Sequence, residues 1–164
     1  MATKEKTLDD LFLDTLKDIY HAEKQILRAL TKMAKSTQTD ELAQAFEKHR
    51  EQTDGQVQRL EQVFEIFGKR PQAKPCEAIQ GIIAEATDIM DEFKGTQALD
   101  AGLLSAAQAV EHYEITRYGT LKAWAKQLGK KDAAELLDQT LKEEKETDQL
   151  LSRLAERSLN KKAA

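Results

Sequence analysis

Four segments with helical periodicity each carry a charged or metal-binding side chain inside a stripe that is otherwise apolar. Glu23 stands among Phe12, Leu16, Ile19, Leu27 and Leu30. His49 stands among Leu42, Phe46, Val57 and Leu60. Glu114 interrupts Leu103, Ala107, Val110 and Leu121, and Glu144 with Asp148 interrupts Leu137, Leu141, Leu151 and Leu154. A carboxylate in a helical core is costly unless it is paired, protonated or bound to a metal. Several acids converging from facing helices are how a bundle builds a two-metal site. A single acid in such a place is commonly a snorkelling side chain. Inward acids on three helices set this chain apart.

Rotation of about 100° per residue sorts the polar groups by face. Glu23 and Glu114 fall at the centres of their stripes, and Glu111 lies on the shoulder of the second. Glu144 and Asp148 share one face at i, i+4 spacing, so both can reach one metal pair. His21 and His112 point away, and Glu143 and Glu146 lie on other, solvated faces. The second helix offers two choices. His49 is the inward residue by rotation, with Thr53, Gln52 and Gln56 as supporting groups. Glu51 and Asp54 are the alternative, because their i, i+3 spacing imitates a Glu-x-x-His ligand pair. The expected metal set is therefore Glu23, His49, Glu111, Glu114, Glu144 and Asp148. This oxygen-rich, nitrogen-poor donor set suits two divalent ions, iron or manganese, better than a tetrahedral zinc. Glu144 and one residue of the second helix would bridge, with Glu23 and Glu114 as terminal ligands. Tyr20 or Tyr113, if close enough, would be electron donors for reduction of O2 or peroxide; otherwise Tyr20, Tyr113 and Tyr118 read as packing residues and Trp124 as core.

The elements that must position these groups are helices. Thr7 caps a first helix from Leu8 to about Met33, with Asp9 and Asp10 in its first turn. Thr39 caps a second that runs to about Phe67 and stops at Gly68. A connection containing Pro71 and Pro75 leads to a shorter helix over about Glu77 to Phe93. A third long helix covers roughly Ala98 to Leu128, and a fourth about Asp132 to Leu159. Two long hairpins joined by a crossover segment, about 69–96, give an all-α, ferritin-like four-helix bundle in a single domain, 1–164. The halves show weak internal similarity: Tyr20-His21-Ala22-Glu23 aligns with Glu111-His112-Tyr113-Glu114.

Composition agrees with this and excludes other classes. Of 164 residues 33% are charged, with only seven Gly and two Pro, which favours long surface-charged helices over a β-sandwich. A net charge of −4 with dispersed Lys and Arg argues against nucleic-acid binding. The lone Cys76 rules out an intrachain disulfide and reads as a small buried residue. Neither a signal peptide nor a membrane-spanning apolar run is expected, so the reducing cytosol is the expected compartment.

Four stretches carry a family pattern: "AEKQILRAL" from Ala22, "EKHREQTDGQVQRLEQVFE" from Glu47, "AAQAVEHYEITRYGTL" from Ala106 and "LKEEKETD" from Leu141. They resemble the YciE/YciF family of ferritin-like bacterial stress proteins, over nearly the whole chain. The "VEHYEI…YGTL" stretch is the most specific. The resemblance implies a ferritin-like bundle with a short extra helix, a homodimer, a dinuclear metal site and a link to stress. It carries Glu23, Glu114 and Glu144 onto ferritin-like carboxylate positions and Glu111 onto the extra acid. The departures are a second helix reading Glu51-Gln-Thr-Asp54 and a Lys145 where a strict internal repeat wants an acid. Two functions are expected: a di-metal protein that handles iron, O2 or peroxide, or a structural protein of the stress response with a non-catalytic site.

Overall fold

The computed structural model describes residues 5–164, and every regular element among them is helical. Helix α1 spans Leu8–Ser36, α2 Asp40–Ile66, α3 Glu77–Glu92, α4 Leu99–Gln127 and α5 Lys131–Leu154. A π-helical turn, Ala155–Leu159, and a last short helix α6, Asn160–Ala163, follow. The sequence pattern predicts an uninterrupted fourth long helix to Leu159, so the widened turn is a departure.

Local chemistry sets most of the helix ends. Thr7 and Asp10 form a reciprocal cap: the Asp10 amide donates to the Thr7 hydroxyl at 3.4 Å, and the Thr7 amide donates to the Asp10 carboxylate at 2.8 Å. Helix α1 runs a turn past the predicted stop at Met33, ending where the Thr37 amide reaches the Met33 carbonyl at 3.1 Å. Gly68 and Gly129 take positive φ, 65° and 73°, after α2 and α4. Behind each, paired backbone bonds (Gly68 to Glu65 and Lys69 to Phe64; Gly129 to Lys126 and Lys130 to Ala125) close the last carbonyls. A side chain at these two positions would be strained.

The start of α2 is decided elsewhere. Thr39 is the N-cap residue, but its side chain makes no capping bond to the helix. Its hydroxyl instead donates to Asp100 Oδ2 at 2.7 Å, and the Gln38 amide donates to Asp100 Oδ1 at 2.8 Å. Asp100, in the first turn of α4, thereby ties the α1–α2 turn to the other half of the chain. Asp100→Ala leaves both donors unpartnered. The expected loss is about 2 kcal/mol, read as a fall of roughly 5 °C in melting temperature by calorimetry.

Helices α1 and α2 form one hairpin, and α4 and α5 form another. Across the hairpins α1 packs on α4 and α2 on α5, while α3 lies against α4 and α1. Because α4 meets α1, α3 and α5 as well as the C-terminal turn and α6, its apolar residues spread round its circumference: Leu103, Leu104, Ala106, Ala107 and Val110 are all buried. One apolar core joins all five long helices, with Phe12, Leu16, Phe46, Phe64, Leu121 and Leu137 among its members. Each such side chain stabilises the fold by about 1.5–3 kcal/mol. The link between α2 and α3 runs along α1, where the Lys74 amide meets the Lys17 carbonyl at 3.0 Å.

Candidate metal centre

Where the two hairpins face each other, the core is not apolar. Helix α1 supplies Glu23, α2 supplies His49, α4 supplies Glu111 and Glu114, and α5 supplies Glu144. All four glutamates are fully buried and His49 is 3% exposed. One ligand atom from each of His49, Glu111, Glu114 and Glu144 lies within 4.8 Å of all the others. His49 Nε2 stands 2.8 Å from Glu111 Oε1, 3.9 Å from Glu144 Oε2 and 4.0 Å from Glu114 Oε2. Glu23 adjoins this group, and its carboxyl feels the charge of Glu144.

Supporting bonds orient several members. The Thr53 hydroxyl donates to the His49 carbonyl at 2.8 Å, one turn further along α2. Gln56 Nε2 donates to Glu144 Oε1 and, at 3.0 Å, to Glu143 Oε2. Arg59 grips Glu143 through two bonds of 2.8 and 2.5 Å. The Tyr118 hydroxyl, itself fully buried, donates to Glu23 Oε1.

Many atoms of the cluster still lack a hydrogen-bond partner. These are Glu23 Oε2, both oxygens of Glu111 and of Glu114, Glu144 Oε2, Gln56 Oε1 and both ring nitrogens of His49. The 2.8 Å approach of His49 to Glu111 does not have hydrogen-bond geometry. Buried acceptors left this way cost folding free energy. Burial, the largest influence, and mutual repulsion drive the carboxyls toward their protonated forms. Glu23 is raised from 4.5 to about 7 and Glu111 to about 8, and Glu114 and Glu144 are raised well above the ordinary range. Orphaned, converging oxygens and an imidazole are the donor set a divalent cation takes, so these residues fit a metal.

The residues singled out in the sequence separate into two groups. Glu23, His49, Glu111, Glu114 and Glu144 come together. Asp148 stands apart: it is 21% exposed, its Oδ1 lies 3.2 Å from His112 Nε2, and Gln108 donates to it at 3.1 Å. The extra 40° of rotation over four residues turns it toward α4 and the surface. The Glu51/Asp54 alternative is overturned, since both side chains are exposed and Asp54 only accepts from Gln58 at 3.3 Å. Glu143 is not simply solvated but ion-paired to Arg59. His21 points away from the cluster but is half-buried, its Nδ1 accepting from the Cys76 amide at 3.0 Å.

The tyrosines also need reassignment. Tyr20 donates to Glu61 at 2.9 Å and Tyr113 to Asp18 at 2.5 Å, with Cys76 Sγ 3.0 Å from the Tyr113 hydroxyl. None of these partners belongs to the cluster. The tyrosine that touches it is Tyr118, which by its sequence pattern alone is a packing residue like the other two. The missed signal was spacing: Tyr118 follows Glu114 by four and Glu111 by seven residues, along one helix face.

Fold and site together define an all-helical protein with a buried carboxylate–imidazole cluster drawn from four helices. The chain belongs to the DUF892 family, a domain of unknown function, whose model matches residues 7–164. It is 46% identical over 159 residues to Protein YciF of Escherichia coli K12, covering 96% of each chain. The crystal structure of the E. coli stress protein YciF superposes with a TM-score of 0.91, over 96% of this chain and 99% of that one. YcfI from Rhodopseudomonas palustris is 43% identical with a TM-score of 0.88, covering 93% and 97%. A Xanthomonas campestris protein at 21% identity and TM-score 0.74, covering 95% and 96%, shares the fold.

Proposed function

We propose that this protein is a ferritin-like four-helix bundle whose buried cluster holds two divalent metal ions, most simply iron, with manganese as the alternative. The observation that carries the reading is the set of buried ligand atoms without partners, contributed by α1, α2, α4 and α5. Charge supports the number two. Glu23, Glu111, Glu114 and Glu144 bring four negative charges when ionised, and two divalent ions offset four. His49, Glu111, Glu114 and Glu144, whose ligand atoms converge, would hold the metal together with the adjoining Glu23. Tyr118 fixes the orientation of Glu23, and Gln56 that of Glu144. A bound iron pair would supply one-electron chemistry toward O2 or peroxide. A stress-related role follows from likeness to the protein named the E. coli stress protein YciF. We read the molecule as a cytoplasmic homodimer on the same resemblance.

The test is elemental analysis of protein purified without chelators from iron- and manganese-supplemented cells. About two metal ions per chain are expected. Protein that is metal-free from both cultures, and takes up none from Fe(II) or Mn(II) added anaerobically, sinks this reading in favour of a purely structural role.

A further inference from the structure

A buried cluster needs a path by which an ion arrives. On the α2–α5 face the cluster is covered by paired side chains. Arg59 is locked on Glu143, which also accepts from Gln56, and the groove further along is lined by Lys48 and Arg153 with one acid, Glu146. A divalent ion approaching there meets a lining with more positive than negative side chains. On the α1–α4 side Tyr118 bonds across to Glu23, and α3 lies over both helices.

The α4–α5 seam is different. His112, 69% exposed, and Asp148, 21% exposed, face each other at 3.2 Å from opposite helices. An imidazole and a carboxylate are both ligands for first-row divalent metals. Gln108 holds Asp148 in place, donating to its Oδ1 at 3.1 Å and to the neighbouring Ser152 hydroxyl at 2.9 Å. Each member of the pair has a cluster residue as a near neighbour on its own helix. Glu111 precedes His112 on α4, and Glu144 lies one turn before Asp148 on α5. Glu111 is fully buried with neither oxygen hydrogen-bonded, and its carboxyl feels the charge of Asp148.

We propose that His112 and Asp148 form an outer divalent-cation station at the α4–α5 seam, which captures the ion from solvent and passes it to Glu111 and the buried cluster. The proposal rests on the cluster being a metal centre. It explains why Asp148 shares the inward spacing of Glu144 yet stays at the surface: it receives the ion and does not keep it.

The test follows Co(II) uptake by the metal-free full-length protein in a stopped-flow spectrometer, reading the visible band of cobalt bound to the cluster. His112→Ala and Asp148→Asn each slow uptake, and the double variant slows it on the order of ten-fold. Cobalt bound at equilibrium is unchanged, and Lys48→Ala takes up cobalt at the wild-type rate. Both station residues are partly exposed, and Asp148→Asn keeps an acceptor for Gln108, so the fold is retained; circular dichroism checks this. Wild-type rates in the double variant overturn the station while leaving the metal centre intact. Loss of equilibrium cobalt in Asp148→Asn also overturns it, by making Asp148 a ligand of the cluster. Failure of the wild type to bind cobalt overturns the station and the metal centre together.

Discussion

Metal-free protein loses thermal stability as pH rises from about 5 to 8, and saturating Mn(II) reverses the slope. The first half follows from the buried carboxyls. Glu23 is raised from 4.5 to about 7 and Glu111 to about 8, both chiefly by burial. A carboxyl with a raised pKa binds its proton more tightly in the folded chain than in the unfolded one. The stability it contributes is complete below its unfolded pKa, 4.5, and is lost as pH climbs through the folded value. A raised carboxyl pKa of this kind is worth about 1.4 kcal/mol per unit, so the cluster's loss reads as a fall on the order of 10 °C in melting temperature for a chain of this length. Glu23, Glu111, Glu114 and Glu144 lose their protons as a set, so the slope belongs to the cluster and not to one residue. Groups shifted the other way do not interfere in this window. Asp138, lowered to about 2 by Lys122 and Lys142, and Glu143, held down by Arg59, contribute stability that is lost only at lower pH.

Metal inverts the argument. Ligands must be ionised to bind, so binding releases protons and strengthens as pH rises. A ligand that binds only the folded chain adds stability that grows with the logarithm of its concentration relative to its Kd. Calorimetry at pH 5, 6, 7 and 8, in EDTA and in Mn(II), should therefore give two lines that cross or diverge steadily. Parallel lines would show that manganese does not compete with protons at these carboxyls, and the metal centre would be lost with them.

The second large effect is a change of sign in one variant. Glu144→Leu should melt above wild type in EDTA at pH 8 and below wild type in saturating Mn(II). Glu144 is fully buried, with Oε2 unpartnered and Glu111 and Glu114 beside it. Removing it in the metal-free protein relieves a desolvation cost and a like-charge contact, and leucine fills nearly the same volume. The expected gain is about 1–3 kcal/mol. Gln56 keeps an acceptor in Glu143, so the substitution strands no donor. With metal present the variant lacks a ligand, and affinity falls by at least about 100-fold. A purely structural cluster gives the gain in both conditions. A variant that melts lower in EDTA as well would mean that the ionised carboxyl stabilises the fold on its own.

Much of this molecule was legible in one dimension because its causes are local. The 3.6-residue period exposed the helices, and Thr7, Gly68 and Gly129 ended them by caps that need only neighbouring backbone. The interrupted stripes singled out Glu23, His49, Glu114, Glu144 and Asp148, with Glu111 on a shoulder; an acid on an apolar face is usually covered by the facing helix, and Asp148, 21% exposed, is the exception. Rotation also chose His49 over Glu51 and Asp54, which are exposed. Tertiary structure decided what each polar group meets. It bound Thr39 to Asp100 sixty-one residues away, in place of a local cap. It turned Asp148 to His112, Gln56 to Glu144 and Glu143, and Tyr118 to Glu23. Helical phase fixes the direction of a side chain to within a few tens of degrees. A buried cluster member, a seam residue such as Asp148 and a supporting group differ by less than that, so only the packing of the opposing helices separates them.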